Sequence, residues 1–192
     1  MSEPTDHYLV IQTRGGQIDA YGKLVVLYQS SVFSVCYRLL GNRMGAEDIT
    51  QETFIRAYKR LGTFDESRPF GPWIRRIATN LCINHLQKRR ADLEAEIDEE
   101  QGYGYSGSES DNEGALIQTE QRECIRIAIL KLPTNCRIAI ELRHFQKLTY
   151  EEMAAEMQVP LNTVKSYLFR GRKKLAKLIR EQSSLFGLRE SV

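Results

Sequence analysis

An all-α chain of two small helical domains, joined by a flexible acidic linker and closed by a helix-turn-helix, is the fold class this sequence predicts. Three observations lead there. Apolar residues recur at three- and four-residue spacing along several long stretches, the mark of helices with one buried side. Between Ala91 and Gln121 there are ten acids and no Lys or Arg, together with the run GYGYSGSES, which reads as a solvated linker. Leu148–Leu175, LTYEEMAAEMQVPLNTVKSYLFRGRKKL, reads as two helices joined by a tight turn. The boundaries that follow are a first domain over 1–91, a linker over 92–115, a second domain over 116–182 and a tail over 183–192.

Residues up to about Ile18 are expected as a short helix or a loose arm. From Asp19 to Leu40 the apolar set Leu24, Leu27, Tyr28, Val32, Val35 and Leu39 predicts one long helix, ended at Gly41-Asn42. A third helix starts at Gly45-Ala46. Ala46, Ile49, Thr53, Ala57 and Leu61, with Phe54 beside them, face inward, while Asp48, Gln51, Glu52, Ile55 and Lys59 face outward. Ile55 among polar neighbours suits a protein contact. Gly62–Phe70 is a loop by its Gly, Asp, Ser and Pro content, and Pro72 suits the first position of the next helix.

In that fourth helix Ile74, Ile77, Ala78 and Leu81 point one way, and Trp73, Arg76, Asn80, Asn84 and Gln87 another. A ring, a guanidinium and two amides on one face can stack on and hydrogen-bond nucleobases. The alternative is that Trp73 belongs to the core and the two Asn face water. Helices resume from Leu116, and one runs through CRIAIELRHF after Pro133.

In the helix-turn-helix, Thr149 and Glu152 form a capping box, and Leu148 and Met153 have the spacing of a hydrophobic staple. Gln158-Val159-Pro160 ends the first helix, and Asn162 or Thr163 caps the second. Val164, Leu168, Gly171, Leu175, Leu178 and Ile179 make the inward stripe of that second helix. Ser166, Phe169, Arg170, Lys173 and Lys177 make the outward one, and no acid occurs between Leu161 and Arg180. A basic face with an exposed aromatic on the second helix of such a motif points to DNA, where the ring would meet a thymine methyl.

The formal charge of +2 conceals segregation, because Arg68–Arg90 is free of acids and the linker is free of bases. That asymmetry indicates a polyanionic partner. No apolar run approaches the roughly 20 residues that span a bilayer, so no membrane insertion is expected. Cys36, Cys82, Cys124 and Cys136 are scattered without a C-x-x-C, and His7, His85 and His144 are dispersed. Neither a metal site, a disulfide framework, a cofactor site nor a catalytic constellation is indicated, and a reduced, cytoplasmic protein is expected. A nuclease has no support, whereas an operator-binding regulator with a sensing N-terminal domain fits the helix-turn-helix alone.

Taken in order, AEDITQETFIRAY, FGPWIRRIATNLCINHLQKRR, LKLP, RIAIELRHF, LTYEEMAAEM and VPLNTVKSYLFRGRKKL resemble the segments of a bacterial RNA polymerase sigma factor of the extracytoplasmic-function (ECF) group. The resemblance runs from about Gln17 to Arg180; Gly71-Pro72 departs from its pattern. It implies that Asp48, Gln51, Glu52 and Ile55 dock on the clamp of core RNA polymerase. It implies that Trp73, Arg76, Asn80 and Asn84, with Phe64 and its loop, melt and read a −10 element of promoter DNA. Lys165, Ser166, Phe169 and Arg170 would read a −35 element, with Lys173 and Lys174 gripping phosphates. It also implies an anti-sigma factor as a partner. The acidic linker has two readings, a competitor of promoter DNA in the free protein or a tether only.

Overall fold

The computed structural model describes the backbone of residues 5–95 and 125–185, and side-chain surroundings for 5–89 and 125–181. The acidic stretch from 96 to 115, with the proposed roles of its acids, and the tail from 186 lie outside the described residues. Every described element is helical, and the chain divides into two compact units, 1–101 and 102–192.

The first unit holds α1 (Asp6–Arg14), α2 (Ile18–Leu40), α3 (Arg43–Arg60), a 3-10 turn (Leu61–Thr63) and α4 (Phe70–Ala95). Helix α2 is central and packs on the other three. Its Leu24, Val32, Val35, Cys36 and Leu39 are fully buried, and they meet Leu9 and Val10 of α1, Ala46 and Ala57 of α3, and Ile74 and Ala78 of α4 in one core. Removing that much apolar surface from water is the main force holding the unit. Leu27, expected inward, is 52% exposed instead. It lies three residues after Leu24, on an edge of the stripe left open to solvent.

Gly41 ends α2 at φ 76°, a left-handed geometry that glycine adopts without steric cost. Asn42 then caps α3, its Oδ1 accepting from the Gly45 N–H at 2.7 Å, so α3 starts at Arg43, two residues before the expected start. Helix α4 likewise begins at Phe70, and Pro72 sits within its first turn, where no intrahelical donor is required.

The second unit contains a helix described over 125–130 (α5), α6 (Thr134–Ile140) running into a π turn (Glu141–Phe145), α7 (Tyr150–Met157) and α8 (Leu161–Leu185). Sequence periodicity suggests one uninterrupted helix through Phe145, but the backbone widens there, the Gln146 N–H reaching the Glu141 carbonyl at 3.2 Å. Leu142, Met153, Val164 and Leu168 close the core. Helix α8 lies against α6 at Gly171, where an added Cβ would come within 3.3 Å of both Cys136 Cβ and Ile140 Cγ1.

Candidate nucleic-acid and protein interfaces

Three faces carry the residues singled out by the sequence. On α3, Asp48, Gln51 and Ile55 are exposed and Glu52 is part-exposed, all on the side away from α2 and α4. Glu52 accepts from Arg56 Nε at 2.6 Å, an i,i+4 pair that screens part of the acidic face. Ile55 at 49% and Tyr58 at 45% exposure add apolar surface beside the polar groups, a composition suited to a protein partner.

The second face is built on α4 and the loop before it. Trp73 is part-buried, its ring centroid 4.8 Å from that of Phe64 and 5.4 Å from that of Phe70. Trp73 therefore packs on a ring cluster and keeps some surface in solvent. Phe64 is buried, 6% exposed, its ring held edge-on to Phe70. Arg76 and Asn84 are exposed along the same helix side. Asn80 lies between them, part-buried, with its Oδ1 enclosed and without a hydrogen-bond partner. Gly71, the departure from the family pattern, is buried where the Tyr28 ring closes in, 2.9 Å from the position of an added Cβ. The Tyr28 hydroxyl donates to Asp6, and burial with that contact pushes its pKa up to about 12.

The third face is the outer side of α8. The capping box of α7 is present, the Thr149 Oγ1 accepting from the Glu152 N–H at 3.2 Å and Glu152 accepting from the Thr149 N–H at 2.8 Å. Leu148 and Met153 are both buried at the staple positions. Gln158 ends α7 in the left-handed region at φ 53°. Pro160 supplies the first accepting carbonyl of α8, to Thr163 at 2.9 Å and Val164 at 3.2 Å, so neither Asn162 nor Thr163 is the cap. The turn's own geometry, set by Gln158, takes precedence over side-chain capping preference.

On α8 the inward stripe is buried or part-buried, and Lys165, Ser166, Phe169, Arg170, Lys173 and Lys174 are all exposed. Phe169 stands 69% exposed beside these cations. The Arg170 guanidinium lies 5.3 Å from the Tyr167 ring centroid, which restrains its reach. Tyr150 and Arg172 join the set, lining with Lys165, Leu168, Phe169 and Lys173 an open cavity of about 310 Å³. Neither was among the residues assigned from the sequence to the −35 element, although Arg172 belongs to the same basic run, one turn from Phe169 and seven residues from Lys165. The Arg172 Nε donates to His144 Nε2 at 3.3 Å, and burial, with the cations Arg172, Lys147 and Arg143 nearby, holds the imidazole below its usual pKa.

Comparison with known proteins finds two family models on the chain. Residues 24–91 match the family model of Sigma-70 region 2 and residues 122–175 that of Sigma-70, region 4. The chain is 39% identical over 176 residues to the ECF RNA polymerase sigma factor SigW of Bacillus subtilis, covering 88% of this chain and 94% of that protein. It is 32% identical over 185 residues to the RNA polymerase sigma-H factor of Pseudomonas aeruginosa, covering 93% and 96%. Among solved structures, the sigma factor RpoE of Bartonella quintana, crystallised with the anti-sigma factor NepR, shares the fold with a TM-score of 0.57 at 20% identity, over 83% of this chain and 96% of that one.

Proposed function

The chain belongs to the ECF group of RNA polymerase sigma factors, and from that membership we propose how its three faces divide the work of transcription initiation. A sigma factor binds core RNA polymerase and directs it to promoters; the bond-forming chemistry belongs to the polymerase. The outer face of α3, through Asp48, Gln51, Glu52 and Ile55, docks on the polymerase clamp. Exposure of Asp48, Gln51 and Ile55, with Glu52 part-exposed beside them, and the mixed polar and apolar character support that role.

The α4 face reads the −10 element. Arg76 and Asn84 reach bases, Trp73 offers a stacking surface, and Asn80, part-exposed between Arg76 and Asn84, reads a base edge through its amide. A base drawn out of the stack exposes edges that the duplex hides, so melting and reading share one mechanism. Phe64, being buried, supports the Trp73 ring from behind instead of touching a base. On α8, Lys165, Ser166, Phe169 and Arg170 read the −35 element in the major groove, and Lys173 and Lys174 hold phosphates. An anti-sigma factor is a further partner in this reading, and the protein works in the cytoplasm. No described helix is long and apolar enough to cross a membrane.

The observation that carries this reading is the outer face of α8, free of acids from Leu161 to Arg180, with Phe169 69% exposed on the second helix of a capped helix-turn-helix. Transcription in vitro with purified core polymerase across a randomised promoter library tests it. Enrichment of promoters with two separated elements is expected. Transcription no greater than that of core polymerase alone would overturn it.

A further inference from the structure

Helix α3 gives way at Arg60 to the 3-10 turn Leu61–Thr63 and then to a loop, whose carbonyls lie outside the helical ladder. A side chain from far upstream takes them. Arg14, the last residue of α1, donates through Nε and Nη2 to the Leu61 carbonyl at 3.0 and 2.7 Å. The same Nη2 reaches the Phe64 carbonyl at 2.5 Å and the Gly62 carbonyl at 3.4 Å, and Nη1 pairs with Glu66. One guanidinium thus spans the 3-10 turn and the first half of the loop that precedes α4.

The arrangement is firmly delivered. Helix α1 is held by the fully buried Leu9 and Val10 and by the hydrogen bond from Tyr28 to Asp6. The loop beyond is folded on itself, Asp65 Oδ1 accepting from the Ser67 N–H at 3.0 Å and the Ser67 Oγ at 2.7 Å. Between these anchors lies Phe64, its carbonyl held by Arg14 and its ring by Trp73. Helix α1 also lies outside the residues matched by the region 2 family model, 24–91.

We propose that Arg14 is a positioning residue for −10 recognition: by clamping the 61–66 loop it fixes Phe64, and Phe64 fixes the stacking face of Trp73. The promoter half of this rests on the reading of α4 given above, whereas the clamp itself does not. The geometry requires arginine. Its planar fork serves several carbonyls and a carboxylate at once, whereas a lysine ammonium has the charge without the span.

Arg14→Gln and Arg14→Lys test the proposal in the full-length protein, with Trp73, the sole tryptophan, as internal reporter. Acrylamide quenching of Trp73 fluorescence should rise in both variants, measured at a temperature where circular dichroism shows both folded. In reconstituted holoenzyme, discrimination between intact and substituted −10 elements should fall by about tenfold, the scale of losing hydrogen bonds to a charged group. Affinity for core polymerase and −35 preference should stay as in the parent. Unchanged quenching overturns the clamp. Equal loss on every promoter, tracking lost folded protein, reduces Arg14 to a structural role and overturns the positioning. Trp73→Ala separates the two layers: unchanged −10 discrimination in that variant overturns the promoter half, whatever quenching shows for Arg14.

Discussion

Leu168 and Phe169 are neighbours in α8 with opposite fates, and truncating each to alanine separates folding from reading. Leu168 is 2% exposed in a core with Val164 and Met153, both fully buried. Leu168→Ala removes buried methyl groups and leaves a cavity, a loss of about 2–5 kcal/mol. That is a large fraction of the roughly 5–15 kcal/mol available to a whole domain. Phe169 is 69% exposed, so Phe169→Ala gives up little buried surface and gains a few tenths of a kcal/mol of helix propensity. Its stability should lie within about 0.5 kcal/mol of the parent. Its DNA affinity should not: loss of a base contact costs about 1–3 kcal/mol, and only at the base it touches. The assay pairs urea denaturation followed by circular dichroism with anisotropy titrations of holoenzyme on −35 variants at one fixed salt concentration. If Phe169→Ala is destabilised by more than about 1 kcal/mol, the helix does not present that ring to solvent. If its affinity is unchanged on every −35 sequence, the ring does not read DNA.

Asp48→Arg reverses an exposed charge and should weaken binding to core polymerase with no loss of fold; undiminished binding by a folded variant would remove α3 from the clamp contact. Arg170→Ala should alter −35 preference, whereas Lys173→Ala should weaken all sequences alike and lower the slope of log affinity against log salt by about one; identical behaviour would show that the facing of α8 is misassigned. His144 should titrate below its ordinary value of 6.5 in proton NMR, and Arg172→Gln should raise it. Because the folded pKa is depressed, its contribution is complete above 6.5 and is lost as pH falls through the folded value. A His144 resonance titrating at 6.5 or higher would contradict the placement of the three cations around it.

What could be read from the chain alone was whatever depends on near neighbours in sequence. The spacing of Leu24, Val32, Val35 and Leu39 defined α2, Thr149 and Glu152 announced the start of α7, and the acid-free stripe through Phe169 and Lys173 marked the outer face of α8. Helical periodicity and capping act over three or four residues, so their signal survives in one dimension. The segments quoted from Ala46 onward likewise carried the family, since a run of local patterns in fixed order needs no coordinates.

Other features depended on residues brought together from far apart. Leu27 has the spacing of a core residue and faces solvent, because no neighbouring helix covers its edge of α2. Phe64 sits in a loop by composition and is buried, because the rings of Phe70 and Trp73 close over it. Asn162 and Thr163 are good caps by type, yet α8 starts at Leu161, one residue before Asn162, with the Pro160 carbonyl as its first acceptor. The link from Arg14 to Leu61 spans 47 residues and has no periodicity to betray it. Burial and long-range hydrogen bonds are properties of the assembled core, and only the packing of α1 and α4 against α2 brings those partners within reach.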